Sequence, residues 1–228
     1  MKTFSKTVFF LSLALFLLAR ETGMSQVVNE TTKKRISIGI GMFADIIVNP
    51  PEGIHFRTVN QGFEAFAMFN VPFGKSNFGF SIGLGVRSNN FYGNFLVDSR
   101  PEVTTFVRVP DTIAYKKSKF SVTYLELPIE FHYKSKSKVS VGIGFKAGMN
   151  VNAHSKFKGI DYKSGTNETV VLKYRDIKNV QQFCFGPTLR IGYRWFNFHG
   201  YYELSQIFVK GKGPDFYPIS LGFVLMPF

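Results

Sequence analysis

The stretch Val139–Asn152, with the sequence VSVGIGFKAGMNVN, decides the fold. Apolar and small or polar side chains alternate along it without a miss. Val139, Val141, Ile143, Phe145, Ala147, Met149 and Val151 form one set, and Ser140, Gly142, Gly144, Lys146, Gly148, Asn150 and Asn152 form the other. Strict alternation over this many residues predicts a β-strand with two chemically different faces.

Seven further segments repeat the same alternation, which gives eight predicted strands in all. They are residues 36–42, 62–71, 78–87, 124–133, 182–194, 198–205 and 217–226. Three connections are short: Pro72–Asn77, Lys134–Lys138 and Arg194–Asn197. The longer ones alternate with them: Val48–Gln61, Asn89–Lys119, Ala153–Asn179 and the shorter Lys210–Asp215. Short periplasmic turns and long extracellular loops are typical of an all-β, antiparallel, up-and-down barrel in a bacterial outer membrane.

A soluble, lipocalin-like ligand-binding barrel would alternate as well, with its apolar side chains pointing inward. An eight-stranded barrel has little room beyond its own side chains, and the many Phe, Ile and Leu residues would overfill it. The opposite set is mostly Gly, Ser and Asn, which would make a poor soluble exterior. We therefore expect the large apolar residues to face lipid and the small polar ones to fill the lumen.

The predicted lumen contains four acidic and four basic residues. They are Glu64, Glu126, Glu130 and Glu203 together with Arg87, Lys146, Arg190 and Arg194. Buried charges need partners, and the two signs balance. We expect a structural ion-pair network that plugs the barrel, rather than a proton relay or a conducting pore.

Aromatic residues gather at the predicted strand ends, where they would form the two interfacial belts of a membrane barrel. Phe73, Tyr133, Tyr193, Trp195 and Phe196 are expected at the periplasmic belt, and Phe63, Phe91, Phe183, Phe208 and Tyr217 at the outer one.

The N-terminus has the pattern of a secretory signal. Lys2 and Lys6 precede an apolar stretch, Val8–Ala19, which is too short to span a bilayer. Small residues at Gly23 and Ser25 predict cleavage before Gln26. The expected organisation is a signal peptide at 1–25, a periplasmic lead-in at 26–34 and the barrel at 35–228.

The chain has a formal net charge of +13. Export argues against nucleic acid as the partner and favours an anionic membrane surface. Twelve lysines and arginines crowd the predicted loops: Arg108, Lys116, Lys117, Lys119, Lys156, Lys158, Lys163, Lys173, Arg175, Lys178, Lys210 and Lys212. The candidate contacts to lipopolysaccharide phosphates are Lys116, Lys117, Lys119, Lys156, Lys158, Lys210 and Lys212.

The sequence offers little for catalysis. Cys184 is the single cysteine, so no intramolecular disulfide can form, and the four histidines lack the spacing of a metal site. His199, Glu203 and Ser205 share a predicted face, and a lipid-modifying hydrolase with a Ser-His-Glu set is a weaker alternative. We expect a non-enzymatic protein without cofactor or metal.

The stretch Tyr124-Leu125-Glu126-Leu127-Pro128-Ile129 resembles the opening of a central strand in the PorT-type outer-membrane β-barrel family of Bacteroidota. The Ser25-Gln26 junction, the strand at Tyr202-Glu203-Leu204 and the final Phe228 are similar to that family too. The resemblance implies a structural protein or an accessory to a secretion or surface assembly, because one branch of the family serves type IX secretion and gliding. The final Phe228 also resembles the signal that the barrel-insertion machinery reads.

Overall fold

The computed structural model describes residues 35–161 and 168–226, and within these ranges the chain is built from β-strands. Their bounds are β1 Ile36–Val48, β2 Asn60–Pro72, β3 Phe78–Tyr92, β4 Phe95–Asp98, β5 Thr105–Arg108, β6 Tyr115–Lys134, β7 Val139–Ile160, β8 Thr169–Arg175, β9 Phe183–Tyr193, β10 Phe196–Tyr202 and β11 Tyr217–Leu225. In this part of the chain, no helix is long and apolar enough to cross a membrane.

Eight of these strands close into an antiparallel barrel. The order around it is β6-β3-β2-β1-β11-β10-β9-β7, and pairing of β6 with β7 closes the sheet. The strands β4, β5 and β8 belong to the loops. Among the eight barrel strands, each pairs with its neighbours in sequence, and the first strand, β1, pairs with the last, β11. The predicted fold class, an eight-stranded up-and-down barrel, is confirmed. The predicted signal peptide and lead-in lie outside the described residues.

The large apolar residues point outward, as a surface in contact with lipid requires. Ile143 is 64% exposed and Leu221 is 40% exposed, whereas Glu126 and Arg190 on the opposite face are only 4% and 8% exposed. An inward-facing apolar core of the lipocalin type would show the reverse. The soluble-barrel alternative is therefore wrong.

The two ends of the barrel differ. At the turn end, three tight connections join β2 to β3, β6 to β7 and β9 to β10. At the loop end, β6 and β7 continue well past the apolar band. There β8 pairs with the extension of β7, and β4 and β5 form a separate hairpin.

A bulge in β7 changes which residues face outward. Thr123 of β6 pairs with Asn152, but the next residue, Tyr124, pairs with Asn150, so Val151 is the extra residue. Below the bulge the odd-numbered residues of β7 point outward, and above it the even-numbered ones do, because a one-residue shift reverses the faces of a strand. The sequence alternation stops at this point for the same reason.

Phenylalanine side chains close the loop end from inside. We call this cluster the phenylalanine cap; it comprises Phe56, Phe91, Phe95, Phe106, Phe120, Phe208 and Phe216. Phe91 and Phe208 were predicted for the outer aromatic belt, and that prediction is wrong. Both side chains are fully buried because strand and loop pack together above the lipid band.

Candidate functional site

The barrel interior is filled by polar side chains in three layers beneath the phenylalanine cap. In the middle layer, the guanidinium of Arg87 lies between Glu126, with Nε 2.5 Å from Oε1, and Glu203, with Nη2 3.0 Å from Oε2. Lys146 Nζ is 2.5 Å from Glu64 Oε2 and 3.5 Å from Glu126 Oε2. The aromatic rings of Tyr124 and Tyr201 flank Arg87 at 5.2 and 4.5 Å.

The layer nearer the turn end contains a second ion pair and a chain of neutral hydrogen bonds. Arg190 Nε donates to Glu130 Oε2 at 3.0 Å, and Nη2 of the same guanidinium bonds the other carboxylate oxygen. A chain of side-chain hydrogen bonds links residues of four strands: Ser37, Asn70, Ser81 and His132.

The layer nearer the loop end centres on Asp45, which the sequence reasoning did not select. The hydroxyl of Ser220 donates to its Oδ1 at 2.6 Å, and the amide of Asn89 donates to its Oδ2 at 2.8 Å. Asp45 is fully buried. It belongs to the predicted lumen set by strand parity, but β1 continues six residues beyond the predicted segment 36–42, so the residue lay outside the pattern.

Seven of the eight predicted luminal charges are brought together and Arg194 is not. Glu64, Arg87, Glu126, Glu130, Lys146, Arg190 and Glu203 are buried and paired. The prediction for Arg194 is corrected: its side chain is exposed at the turn between β9 and β10, where its backbone adopts a φ of 57° and leaves the strand alternation.

His199 is the luminal partner that the sequence prediction left out. Its Nδ1 lies 2.9 Å from Oε1 of Glu64, across the barrel. The hydroxyl of Ser205 donates instead to Glu203 Oε1 at 3.4 Å. The three residues of the hydrolase alternative thus do not form a connected Ser-His-Glu set, because His199 pairs with Glu64 whereas Ser205 bonds to Glu203 and not to His199.

Cys184 is buried in the barrel interior. Its sulfur accepts a hydrogen bond from Arg87 Nη2 at 3.6 Å. Among residues 35–161 and 168–226, no group of three or more His, Cys, Asp or Glu side chains could hold a metal ion.

A second candidate site lies on the outer surface, just beyond the apolar band at the loop end. The even-numbered residues of β7 above the bulge face outward together with the odd-numbered residues of β6 and β8. Cross-strand pairing places Lys119, Lys156 and Lys173 in one row, with Lys117 beside Lys158 in the row beyond it. We call this set the cation face; it comprises Lys117, Lys119, Lys156, Lys158, Lys173 and Arg175.

The cation face carries no carboxylate in the registers that β3, β6, β7 and β8 share, and the exposed Val171 lies opposite Lys158. His154 stands between Ser121 and Arg175, and Tyr92 pairs with Lys119. Lys119 Nζ donates to Asn90 Oδ1 at 2.7 Å, and Lys117 Nζ lies 5.6 Å from the centre of the Tyr92 ring. Like charges directly opposite one another destabilise a sheet unless something offsets them.

Burial, together with the crowding of positive charge, lowers the pKa of two groups on these strand extensions. Burial, with Lys117, Lys156 and Lys173 nearby, holds the pKa of Lys119 below its usual range. Burial also lowers the pKa of His154, and Lys119, Lys173 and Arg175 act in the same direction. A bound anion would raise the pKa of both groups, because its negative charge offsets the repulsion from the neighbouring cations.

The candidate lipopolysaccharide contacts divide into two groups. Lys117, Lys119, Lys156 and Lys158 lie together on the cation face. Lys116 is exposed at an irregularity between Tyr115 and Lys117, and Lys210 and Lys212 are exposed in the separate loop that leads to β11.

The match to a protein-family model agrees with this architecture. The family model of the outer membrane protein beta-barrel domain matches residues 25–209. Two solved structures similar to the chain are of Ail, the attachment invasion locus protein of Yersinia pestis. The first is 13% identical, covers 84% of this chain and 96% of Ail, and has a TM-score of 0.42. The second, in complex with the heparin analogue sucrose octasulfate, is 12% identical with the same coverage and a TM-score of 0.39. No curated protein matches the chain.

Proposed function

The chain belongs to the family of outer membrane protein beta-barrel domains and is located in the outer membrane, and from this premise we propose that it is a non-enzymatic barrel, closed to solutes, that contacts lipopolysaccharide phosphates through its cation face. We further propose that the barrel is an accessory to a secretion or surface assembly, as the resemblance to the PorT-type family implies.

The position of the cation face is the observation that carries the lipid contact. On β3, β6 and β7, the last exposed aliphatic residues before the lysine rows are Val86, Leu125 and Val151. The lysine rows follow within a few residues on the same lateral surface, and this position supports a contact with the outer leaflet. Anionic groups just above the hydrocarbon attract basic side chains at this depth.

The interior supports a role without transport or catalysis. Ion pairs and hydrogen bonds fill the lumen in three layers, and the phenylalanine cap covers the loop end. His199 and Ser205, the base and the nucleophile of the hydrolase alternative, are not in contact, because they bond to different carboxylates. A packed interior suits a barrel that works through its outer surfaces.

The lipid contact is tested by purifying the protein from native outer membrane and measuring lipopolysaccharide per barrel. The triple variant Lys119→Gln, Lys156→Gln and Lys173→Gln should retain several-fold less lipopolysaccharide than the unaltered protein. The matched control, Lys75→Gln, Lys136→Gln and Lys138→Gln, removes the same charge at the turn end and should retain the full amount. Equal retention by both variants contradicts the proposal.

The accessory role has a separate test. Crosslinking in intact cells, followed by co-purification from native outer membrane, should recover the same partner proteins in repeated preparations. Recovery of the barrel with lipid alone contradicts the accessory role and leaves the lipid contact standing.

A further inference from the structure

The turn end carries charge of one sign. Its described turns and strand ends contain six cations and no aspartate or glutamate: Arg35, Lys75, Lys134, Lys136, Lys138 and Arg194. The loops at the other end mix both signs; Glu52, Asp98 and Asp111 are examples. Because short turns face the periplasm in outer-membrane barrels, this basic end is the periplasmic one.

Part of this charge converges on a cleft at the barrel mouth. The cleft has a volume of about 530 Å³ and is lined by Lys134, Lys138, Arg190 and Arg194, the hydroxyls of Ser37, Ser135 and Ser140, the amide of Asn197, and the apolar surfaces of Val139, Trp195 and Met226. Its size lies within the range of about 300–1,000 Å³ that is usual for ligand pockets. We call it the turn-end cleft.

Backbone hydrogen bonds hold the walls of the turn-end cleft together. The amide of Arg194 donates to the carbonyl of Lys138 at 2.8 Å, which ties two turns to each other. The amide of Met226 donates to the carbonyl of Trp195 at 2.7 Å, which ties the end of β11 to the same turn. The cations are therefore gathered on a preorganised frame, which lowers the conformational entropy that the protein loses when a ligand binds.

The cations of the cleft outnumber the carboxylates that pair with them. Glu130 pairs with Arg190 through Nε and Nη2, and Nη1 of that guanidinium points to the sulfur of Met226, a weak acceptor. Among the described residues that line the cleft, no carboxylate accompanies Lys134, Lys138 and Arg194. The hydroxyl of Ser37, which accepts from Asn70 and keeps its own hydrogen, stands beside them, so the surface offers charge and a donor to an anion.

We propose that the turn-end cleft binds an acidic peptide segment of a periplasmic protein, with carboxylates on Lys134, Lys138 and Arg194 and an apolar side chain against Trp195. A peptide fits better than a lipid headgroup because Ser37, Ser140 and Arg190 face the barrel axis, away from the surrounding bilayer. Apolar surface within the lining also favours a chain with mixed side chains over a bare phosphate. The cleft is independent of the cation face, which lies at the opposite end of the barrel.

Trp195 provides a local readout, because it is the only tryptophan of the chain and lines the cleft. The full-length barrel in zwitterionic nanodiscs is titrated with the synthetic peptide Ac-Glu-Asp-Phe-Glu-amide while Trp195 fluorescence is recorded. A saturable change at micromolar to submillimolar peptide that weakens with added salt is expected. The neutral analogue Ac-Gln-Asn-Phe-Gln-amide should produce no saturable change.

Two triple variants with the same loss of charge separate this site from general attraction. Lys134→Gln, Lys138→Gln and Arg194→Gln should weaken peptide binding about tenfold or more, since each lost ion pair contributes a modest share. Lys119→Gln, Lys156→Gln and Lys173→Gln at the opposite end should leave the affinity within about twofold, as expected for distant charges under salt screening. Heat-modifiable gel mobility checks that both variants are folded.

Three results would overturn the inference. They are the absence of saturable binding up to millimolar peptide, equal weakening in the two triple variants, and a Trp195 response to phosphatidylglycerol vesicles that matches the response to the peptide. The last result would identify a lipid headgroup as the occupant. None of these outcomes depends on whether the cation face retains lipopolysaccharide.

Discussion

Arg87 Nη2 lies 3.0 Å from Glu203 Oε2, and this ion pair joins β3 to the residue that follows β10, on the far side of the lumen. The two residues are 116 positions apart in the chain. Both side chains are fully buried, so neither charge can be solvated if its partner is removed. The pair can therefore form only when the strands have closed into a barrel and the side chains inside it have packed together.

We predict that Arg87→Met destabilises the folded barrel by about 3–5 kcal/mol, because it leaves buried carboxylates without their cation. Urea unfolding in lipid vesicles, followed by the fluorescence of Trp195, measures the loss. Arg57→Met is the control, since Arg57 is exposed and stacks on Tyr92 at 5.1 Å; it should cost about 1 kcal/mol or less. Adding Glu203→Gln to Arg87→Met should recover part of the stability. No recovery would show that Glu203 tolerates the loss of its partner.

The eight barrel strands could be predicted from the sequence because inside and outside differ chemically at every step. In β3, for example, Phe78 to Arg87 alternates large apolar residues with Gly, Ser and Arg, and the structure keeps this register against β2 and β6. Strand parity alone predicts the inward position of the seven buried luminal charges. It does not predict which residues pair with one another, because parity gives the face on which a residue lies and not the strand opposite it.

The loop end could not be predicted in the same way. Phe91 and Phe120 face inward there, so the rule that apolar residues point outward fails once the strands leave the lipid. The bulge at Val151 then reverses the parity of β7, which hides the outward row of Lys156 and Lys158 from a period-two reading. The turn-end cleft was missed because its lining comes from turns whose approach depends on closure of the sheet.

The phenylalanine cap leads to a prediction about local stability. Phe106 of β5 stacks on Phe95 with ring centres 4.3 Å apart and also contacts the rings of Phe120, Phe208 and Phe216. Replacing it with alanine removes several of the ring contacts that join the β4–β5 hairpin to the other loops. We expect Phe106→Ala to cost about 3 kcal/mol of local stability, which is typical of core phenylalanine truncations.

Hydrogen exchange measured by mass spectrometry checks this. Exchange in residues 93–114 should accelerate in Phe106→Ala, while β2 and β9 stay protected, because loops open locally without unfolding the barrel. Phe131→Ala is the control; this residue is 60% exposed on the outward face and should not change loop exchange. Faster exchange throughout the barrel would mean that the cap is part of the same cooperative unit.

The lowered pKa of His154 predicts how anion binding to the cation face depends on pH. Without an anion, burial opposes its protonation, and Lys119, Lys173 and Arg175 act in the same direction. The stability that neutral His154 provides is full above its ordinary pKa of about 6.5 and falls as pH drops toward the lowered value. A bound anion offsets the surrounding charge and raises the pKa, so protonation and binding favour each other by linkage.

We therefore expect the affinity for dextran sulfate to rise about fivefold between pH 7.5 and pH 5.5, a modest coupling. A sulfate probe is used because its own charge does not change over this range. His154→Gln should remove the pH dependence. His55→Gln, in the loop between β1 and β2, should preserve it. An affinity that stays constant with pH in the unaltered protein contradicts the coupling.

The last prediction concerns the space between β9 and the end of β10. A Cβ added to Gly186, which faces the lumen, would overlap the carbonyl oxygen of Tyr202, and backbone cannot move aside as a flexible side chain can. A Cβ added to Gly200 would come no closer than 3.5 Å, to Leu221 Cδ2, which is an ordinary contact. Gly186→Ala should therefore destabilise the barrel by about 1–3 kcal/mol or more, as overpacking does, while Gly200→Ala should be nearly neutral. Urea midpoints and the fraction that migrates as the folded form in unheated gels compare the two variants. If both behaved alike, the close approach of these strands would not be what requires glycine at position 186.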